Sequence, residues 1–285
     1  MEYIRKLITK IFEIFLPFAD KMAYLRYFNN PLLNKPLSNI ETYKKLLKRA
    51  ENNTYSIADI DLIESAGYAI DKKWLNSLAY KTQVVIKKSE LNYAHGRVLY
   101  TALRDYIMTL GENNNSINII ETGTARGFSA LCMAKALSDA KFEGSIFTLD
   151  VLPHDKKMFW NCAADHIDGK QSRYELIAEW KSLIEKYIVF IQGSTKHILP
   201  KIYLKRINFA FLDGVHTYKN VLFEFNIINK SQKKGDVIVF DDYNKKDFPG
   251  VFKAINLIAE KMNYEIKVIQ NQSTFRNYVI ATKNV

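Results

Sequence analysis

From about residue 117 onward the chain alternates between short, nearly unbroken apolar runs and longer amphipathic stretches. The runs 117–121, 144–150, 188–193, 207–213 and 236–242 are too short and too evenly apolar for helices, and they predict buried strands. Between them, 128–138, 195–204, 217–229 and 251–262 carry apolar residues at helical spacing. Residues 264–270 and 275–282 predict a closing hairpin with its turn at 271–273. Strands alternating with helices imply an α/β protein, with a doubly wound, mostly parallel sheet of seven strands covered on both faces. A longer insertion, 151–187, interrupts the alternation with helical patterning and aromatic residues.

Residues 1–110 show no strand alternation and read as a helical extension broken at Pro31, Pro36, Asn52-Asn53 and Gly67. Ser56 is placed to cap a helix over 57–66, and 91–108 predicts one longer amphipathic helix. A polar turn from Gly111 leads into the first strand, so 111–285 is the expected α/β domain. In the first twenty residues, Ile4, Leu7, Ile8, Ile11, Phe12, Phe15 and Leu16 share one helical face, with Arg5, Lys6 and Lys10 elsewhere. Such a helix could lie on a membrane surface, pack on a second copy of the chain, or fold back on its own domain. Glu13 and Pro17 interrupt the run, and no small-residue cleavage site follows, which argues against a signal peptide. No stretch reaches the ~18–20 apolar residues of a membrane span. The expectation is a cytoplasmic protein, peripheral to a membrane at most.

At 285 residues the chain can bury a full core. Its net charge of +11 raises the question of an anionic partner, but the lysines are scattered and no nucleic-acid signature stands among them, so nucleic acid is disfavoured. Cys132 and Cys162 are isolated; Cys132 lies in an apolar helical stripe and is expected to be a buried thiol.

The candidate chemistry begins at Ile117-Asn-Ile-Ile-Glu-Thr-Gly-Thr-Ala-Arg-Gly-Phe-Ser129. A strand ends in Glu121, two glycines follow at Gly123 and Gly127, and a helix begins. Glycine lets the backbone approach a ligand, and the free N–H groups of the first turn favour an anionic group. The dinucleotide fingerprint needs a third glycine and the P-loop a Gly-Lys-Ser/Thr; neither is present. The pattern acid-x-Gly-x-x-x-Gly resembles the first motif of class I S-adenosylmethionine-dependent methyltransferases. That resemblance implies a cofactor contact set of Glu121, Gly123, Thr124, Arg126, Gly127 and Ser129. Glu121 would orient the loop or meet the ligand's amino group, and Ser129 its carboxylate.

Four strands end in carboxylates, at Glu121, Asp150, Asp213 and Asp241-Asp242, all on one edge of a parallel sheet, where ligands bind. Asp150 could accept both hydroxyls of a ribose, or could cap the segment after its strand. Asp213, Asp241 and Asp242 come from neighbouring strands about 4.8 Å apart. Like charges so close repel, and a divalent cation such as Mg2+ relieves this with oxygen ligands. The alternative is that Asp242 faces away and Lys245 or Lys246 neutralises the site.

The segments ETGTARGFS (121–129), FLDGVHTY (211–218) and IVFDDY (238–243) resemble the metal-dependent class I O-methyltransferases, the catechol and macrocin types. The resemblance implies the strand order 3-2-1-4-5-7-6 and places Ser194 near an adenine. It gives Asp213 to both cofactor and catalysis, with Asp213, Asp241 and Asp242 as metal ligands. Macrocin-type enzymes carry a second acid two residues after the first aspartate; Val215 stands there instead. His216 could take up the acceptor's proton, bind the metal, or merely cap the next helix. His95, His154 and His197 are weaker candidates, and His166 has no evident partner. Phe159, Trp160, Tyr174 and Trp180 could form a lid, or the core of a helical satellite. Tyr93, His95 and Arg97 could face the site from the other side. The implied reaction is metal-assisted methyl transfer from S-adenosylmethionine to a hydroxyl of a small molecule or glycan sugar. The rivals are a nucleotide-sugar or dinucleotide oxidoreductase and a non-catalytic ligand-binding member of the fold.

Overall fold

A computed structural model describes residues 35–52, 57–87, 91–111, 116–271 and 276–285. The basic amphipathic stretch 1–20, Ser56, the polar turn 112–115 and most of the 271–273 turn lie outside the described residues.

Helices α1 (Ile40–Glu51), α2 (Ala58–Ile63), α3 (Lys72–Thr82) and α4 (His95–Thr109) precede the sheet. Then come β1 (Ser116–Thr122), α5 (Phe128–Asp139) and β2 (Glu143–Asp150). The insertion carries the short helices α6 (Ala164–Ile167) and α7 (Arg173–Leu176), followed by α8 (Lys181–Tyr187). The chain continues through β3 (Ile188–Gln192), α9 (Thr195–Ile198), β4 (Phe209–Leu212) and α10 (Tyr218–Asn229). It closes with β5 (Val237–Phe240), α11 (Pro249–Lys261), β6 (Tyr264–Ile269) and β7 (Tyr278–Lys283). The seven strands order β3-β2-β1-β4-β5-β7-β6. Neighbours from β3 to β5 pair parallel, and β7 is antiparallel to both β5 and β6.

Successive strand residues point to opposite faces, and the core divides accordingly. Ile117, Ile119, Phe209, Phe211, Val237 and Val239 join α4, α5, α8 and the insertion in one apolar cluster. Ile120, Ala210, Leu212, Ile238 and Phe240 join α10 and α11 in the other. The N-terminal helices share the first cluster, through Leu75, Leu78, Val98, Leu99 and Leu103. Among the described residues no helix is long and apolar enough to cross a membrane.

Several boundaries differ from the sequence expectation for local reasons. The helix foreseen at 91–108 starts at His95, because the Asn92 side chain accepts the Ala94 N–H and turns the chain before the helix can begin. The helix at 57–66 ends early in a wide turn around Gly67, whose φ is 102°. The 195–204 helix tightens into a 3-10 turn over Leu199–Lys201, since Pro200 lacks the N–H a helix needs. Strands β4 and β5 are shorter than their apolar runs. Asp213, Asp241 and Asp242 therefore lie just past the ladder, on the open edge.

Candidate active site

The glycine loop closes against two strands. Gly123, Ala125 and Gly127 all have positive φ, at 94°, 45° and 86°. The N–H groups of Gly123 and Thr124 donate to the Leu149 carbonyl at the end of β2. A Cβ on Gly123 would stand 2.3 Å from the Asp213 carbonyl oxygen. Only glycine lets the loop touch the end of β4, and that contact joins the loop to the aspartates. Gly127 caps α5 without any side-chain bond, so the first-turn N–H groups stay available to an anion.

Glu121 has the same strand parity as Ile117 and Ile119, and points toward α5. It is fully buried, and its partners are the Thr148 hydroxyl, which donates to Oε2, and Ser129 in the first turn of α5. Thr124 and Thr148 share a hydroxyl–hydroxyl bond of 2.5 Å in the same layer. Glu121 Oε1 has no partner. Burial pushes this carboxyl up to about 7, against the two hydroxyl bonds. A buried carboxyl oxygen without a partner suits a ligand ammonium, as the amino group of a methionine moiety would be. The raised value means that Glu121 adds stability fully below the ordinary carboxyl range, and that this is lost as pH rises toward 7. Glu121→Gln is therefore expected to equal the wild type near pH 4 and to be more stable by about 2 kcal/mol at pH 8. Urea unfolding at the two pH values checks this.

Asp150 is engaged by the backbone: Oδ2 accepts from Ala125 N at 2.5 Å and Oδ1 from Leu152 N at 2.8 Å. The capping alternative is thus realised. An ionised carboxylate still has acceptor capacity left for a ribose. Beside it lies Arg173 of α7, with a fully buried side chain and Nη2 3.4 Å from Asp150 Oδ2. Arg173 Nε donates to the Ala125 carbonyl at 2.7 Å, and Nη1 meets His154 Nδ1. Arg173 had no signal in the sequence, since a lone arginine in an insertion marks nothing by spacing. Arg126, expected at the cofactor, instead donates through Nε to the Trp160 carbonyl at 2.6 Å and anchors the loop to the insertion. Ser194 sits at the N-terminus of α9 without capping it.

The insertion aromatics are core more than lid. Trp160 and Trp180 are buried; Trp160 donates to the Gln171 carbonyl, and Trp180 packs edge-on against Trp74. Tyr174 is exposed. On the N-terminal side, Arg97 turns to Asp61 and Glu64, and Tyr93 donates to Asn76. His95 is buried between Phe128 and Phe211, and burial brings its imidazole down to about 3. His166 meets the Ser38 carbonyl at 2.6 Å.

The carboxylates past β4 and β5 do converge, but with different partners from those expected. Asp213, His216 and Asp242 bring their side chains together, with candidate ligand atoms all within 4.8 Å of one another. His216 Nε2 lies 3.8 Å from Asp213 Oδ1, and Nδ1 lies 3.5 Å from Asp242 Oδ2. The cap of α10 is Thr217, not His216. Asp242 adopts φ 56°, a left-handed backbone unusual outside glycine, and its carboxylate lies toward His216. Asp241 is fully buried and clamped by Arg276, which donates Nε to Oδ1 at 3.0 Å and Nη2 to Oδ2. Asp241 Oδ1 also accepts the Asp242 N–H at 2.7 Å. The neutralising cation is thus Arg276, 3.3 Å from Asp242 Oδ1 as well, and not Lys245 or Lys246. Sequence reasoning missed it because it enters from beyond the strand pair, just before β7.

The titration pattern follows. Burial, then Asp241, drives Asp213 well above its ordinary value, and the same causes bring Asp242 up to about 7. Burial alone would raise Asp241, but Arg276 outweighs it and holds that carboxyl low. Burial lowers the His216 imidazole, keeping it neutral. Lys87, ahead of α4, feels Asp241 and Asp242; burial and Arg276 bring its ammonium down to about 8. Two carboxylates that burial and a neighbouring like charge push upward, beside a neutral imidazole, form a donor set that fits a divalent cation.

The fold has counterparts among known proteins. Residues 120–243 match a family described as methyltransferase domain. The O-methyltransferase TomG of Streptomyces achromogenes, involved in tomaymycin synthesis and solved with S-adenosylmethionine, aligns with a TM-score of 0.54 at 16% identity, over 80% of this chain and 96% of that one. Cofactor-bound Rv0187 from MTB gives 0.54 at 14% identity, over 80% and 99%. The O-methyltransferase NovP gives 0.51 at 16%, over 69% and 84%. A protein of Acanthamoeba polyphaga mimivirus is 43% identical over 54 residues, 19% of this chain and about a quarter (24%) of that protein's length. Residues 120–243 thus match a methyltransferase domain, and the fold is the one those solved structures share. More narrowly, the chain carries this methyltransferase domain over residues 120–243, on the seven-stranded sheet shared with those O-methyltransferases.

Proposed function

We propose that this protein transfers a methyl group from S-adenosylmethionine to a hydroxyl of a small molecule or glycan sugar, with a divalent cation assisting. The observation that carries the reading is the junction at Gly123. It presses the glycine loop onto the Asp213 carbonyl, and this contact supports a methyl-donor site beside Asp213, His216 and Asp242. When bound, the sulfonium supplies an electrophilic methyl and the cation lowers the pKa of the acceptor hydroxyl.

The chain's own residues orient both partners. Gly123, Thr124 and Gly127 shape the loop, Ser129 and the α5 N-terminus face the carboxylate of the methionine part, and Glu121 takes its ammonium. Asp150 and Ser194 stand where a nucleoside would lie. Asp213 and Asp242 would hold the cation. Holding a weak nucleophile in line with a reactive methyl is itself a large share of such catalysis. The O-methyltransferases among the structural neighbours favour oxygen as the acceptor atom. An Asn/Asp-Pro-Pro-aromatic element, which would suit base amines, is replaced after β4 by Asp213-Gly-Val-His216.

Calorimetric titration with S-adenosylhomocysteine and with NAD tests the cofactor; binding of NAD alone would overturn the reading and favour the oxidoreductase. Labelled methyl transfer to a panel of catechols, sugars and amines, with and without Mg2+ or Mn2+, tests the rest. Base-stable ether products that need the metal are expected. Transfer to nitrogen, or full turnover with chelator, would refute it.

A further inference from the structure

We propose that His216 is the third protein ligand of a divalent-cation site formed with Asp213 and Asp242, and that this set selects Mn2+, Fe2+, Co2+ or Zn2+ over Mg2+ and Ca2+. The inference rests on the metal-assisted reading above for the presence of a cation, and goes beyond it in naming the ligand and the class of ion.

Three observations carry it. First, Asp241 is spent. Both its oxygens are held by Arg276, and Oδ1 also accepts the Asp242 N–H. A set of three aspartates would have to compete with Arg276 for a carboxylate that is itself fully buried. Second, His216 stands beside both acids. Its Nε2 lies 3.8 Å from Asp213 and its Nδ1 3.5 Å from Asp242, beyond the ~2.7–3.2 Å of a hydrogen bond. One ring nitrogen serves one ion, and one ligand atom from each of the three residues lies within 4.8 Å of the others, so a modest side-chain rotation brings them to the roughly 3.0–3.5 Å expected of donors about 2.1 Å from a shared ion. Third, the ring is placed without being used otherwise. Phe248 packs on it with centroids 5.0 Å apart, and Thr217 takes the helix cap.

The choice of ion follows from the donors. Mg2+ and Ca2+ are hard cations that take oxygen. Imidazole suits the first-row transition ions and zinc. Two carboxylates and one imidazole leave coordination positions for water or an acceptor hydroxyl, so the site stays open to substrate. His216 is then a binding residue, and not the group that accepts the proton.

The test uses the full chain stripped with chelator and titrated with Mn2+ and Mg2+. Roughly tenfold or tighter binding of Mn2+ than of Mg2+ is expected. Pulsed electron paramagnetic resonance of the Mn2+ form should show coupling to an imidazole nitrogen. In His216→Gln, Mn2+ affinity should fall roughly tenfold or more, the nitrogen coupling should vanish, and Mg2+ affinity should change little. His216 is one-third exposed, and a thermal melt verifies that the variant folds; Asp242→Asn, which removes a different ligand, should weaken Mn2+ while keeping the nitrogen signal. Bound Mn2+ without nitrogen coupling, an unchanged affinity in His216→Gln, or equal affinity for Mg2+ would overturn the proposal. Absence of any metal uptake would overturn it too. Titration of the same stripped sample with S-adenosylhomocysteine then shows whether the methyltransferase reading stands without it.

Discussion

Arg276→Met is expected to destabilise the protein by about 3–5 kcal/mol at neutral pH, since it leaves a buried charge unpaired. Asp241 has no exposure, and its ionised state depends on the guanidinium, with two donors on its two oxygens. Asp213 and Asp242 crowd it from the same edge. The pH dependence has a definite sign. Arg276 holds Asp241 below its ordinary value, so the pair's contribution is present above the ordinary carboxyl range and is lost as pH falls through the lowered value. The variant should therefore differ most from the wild type near pH 7 and least near pH 3, where Asp241 can take a proton. Denaturant melts across that range measure it. An Arg276→Lys variant keeps the charge but loses the two-pronged geometry, and should recover only part of the loss. If Arg276→Met melted like the wild type at pH 7, Arg276 would not be the partner that keeps Asp241 ionised.

That pair also marks where the sequence stops being legible. The strand runs, the glycine loop and the carboxylates at strand ends were readable because each is a local pattern: apolar continuity, backbone freedom, a charge at the end of an apolar run. The expected strand order is observed, and Asp213 and Asp242 do meet. What local pattern cannot carry is which neighbour satisfies which carboxylate. Arg276 reaches Asp241 from 35 residues away, and Arg173 reaches the Ala125 carbonyl from 48. Neither has a motif, because a buried ion pair needs only one correctly placed cation and imposes no spacing on the chain. The left-handed backbone of Asp242 is hidden for a related reason: aspartate visits that region more often than most residues but adopts it only in a minority of places, so its presence in the sequence marks nothing. For the insertion aromatics, lid and satellite core stay open in the sequence because exposure cannot be read from composition. Trp160 and Trp180 are core, packed in the apolar cluster that also holds α5 and α8.

Asp213→Asn is expected to reduce methyl transfer by roughly 10³-fold, since coordination chemistry of this kind supplies several kcal/mol to the barrier. The same substitution should not weaken the fold. Asp213 is driven well above its ordinary value by burial and by Asp241 and Asp242, so in the cation-free protein its charge is a burden. Removing it relieves like-charge repulsion, and the melting temperature of the metal-free variant should equal or exceed that of the wild type. Loss of turnover with gain of stability separates a residue kept for chemistry from one kept for packing. The glycine loop offers a further control. Its contact with position 213 is to the backbone carbonyl, which the substitution preserves, so S-adenosylhomocysteine should bind within a few-fold of the wild type. A variant that lost cofactor binding and turnover together would place Asp213 in the cofactor pocket alone. A variant that kept both would remove it from the reaction.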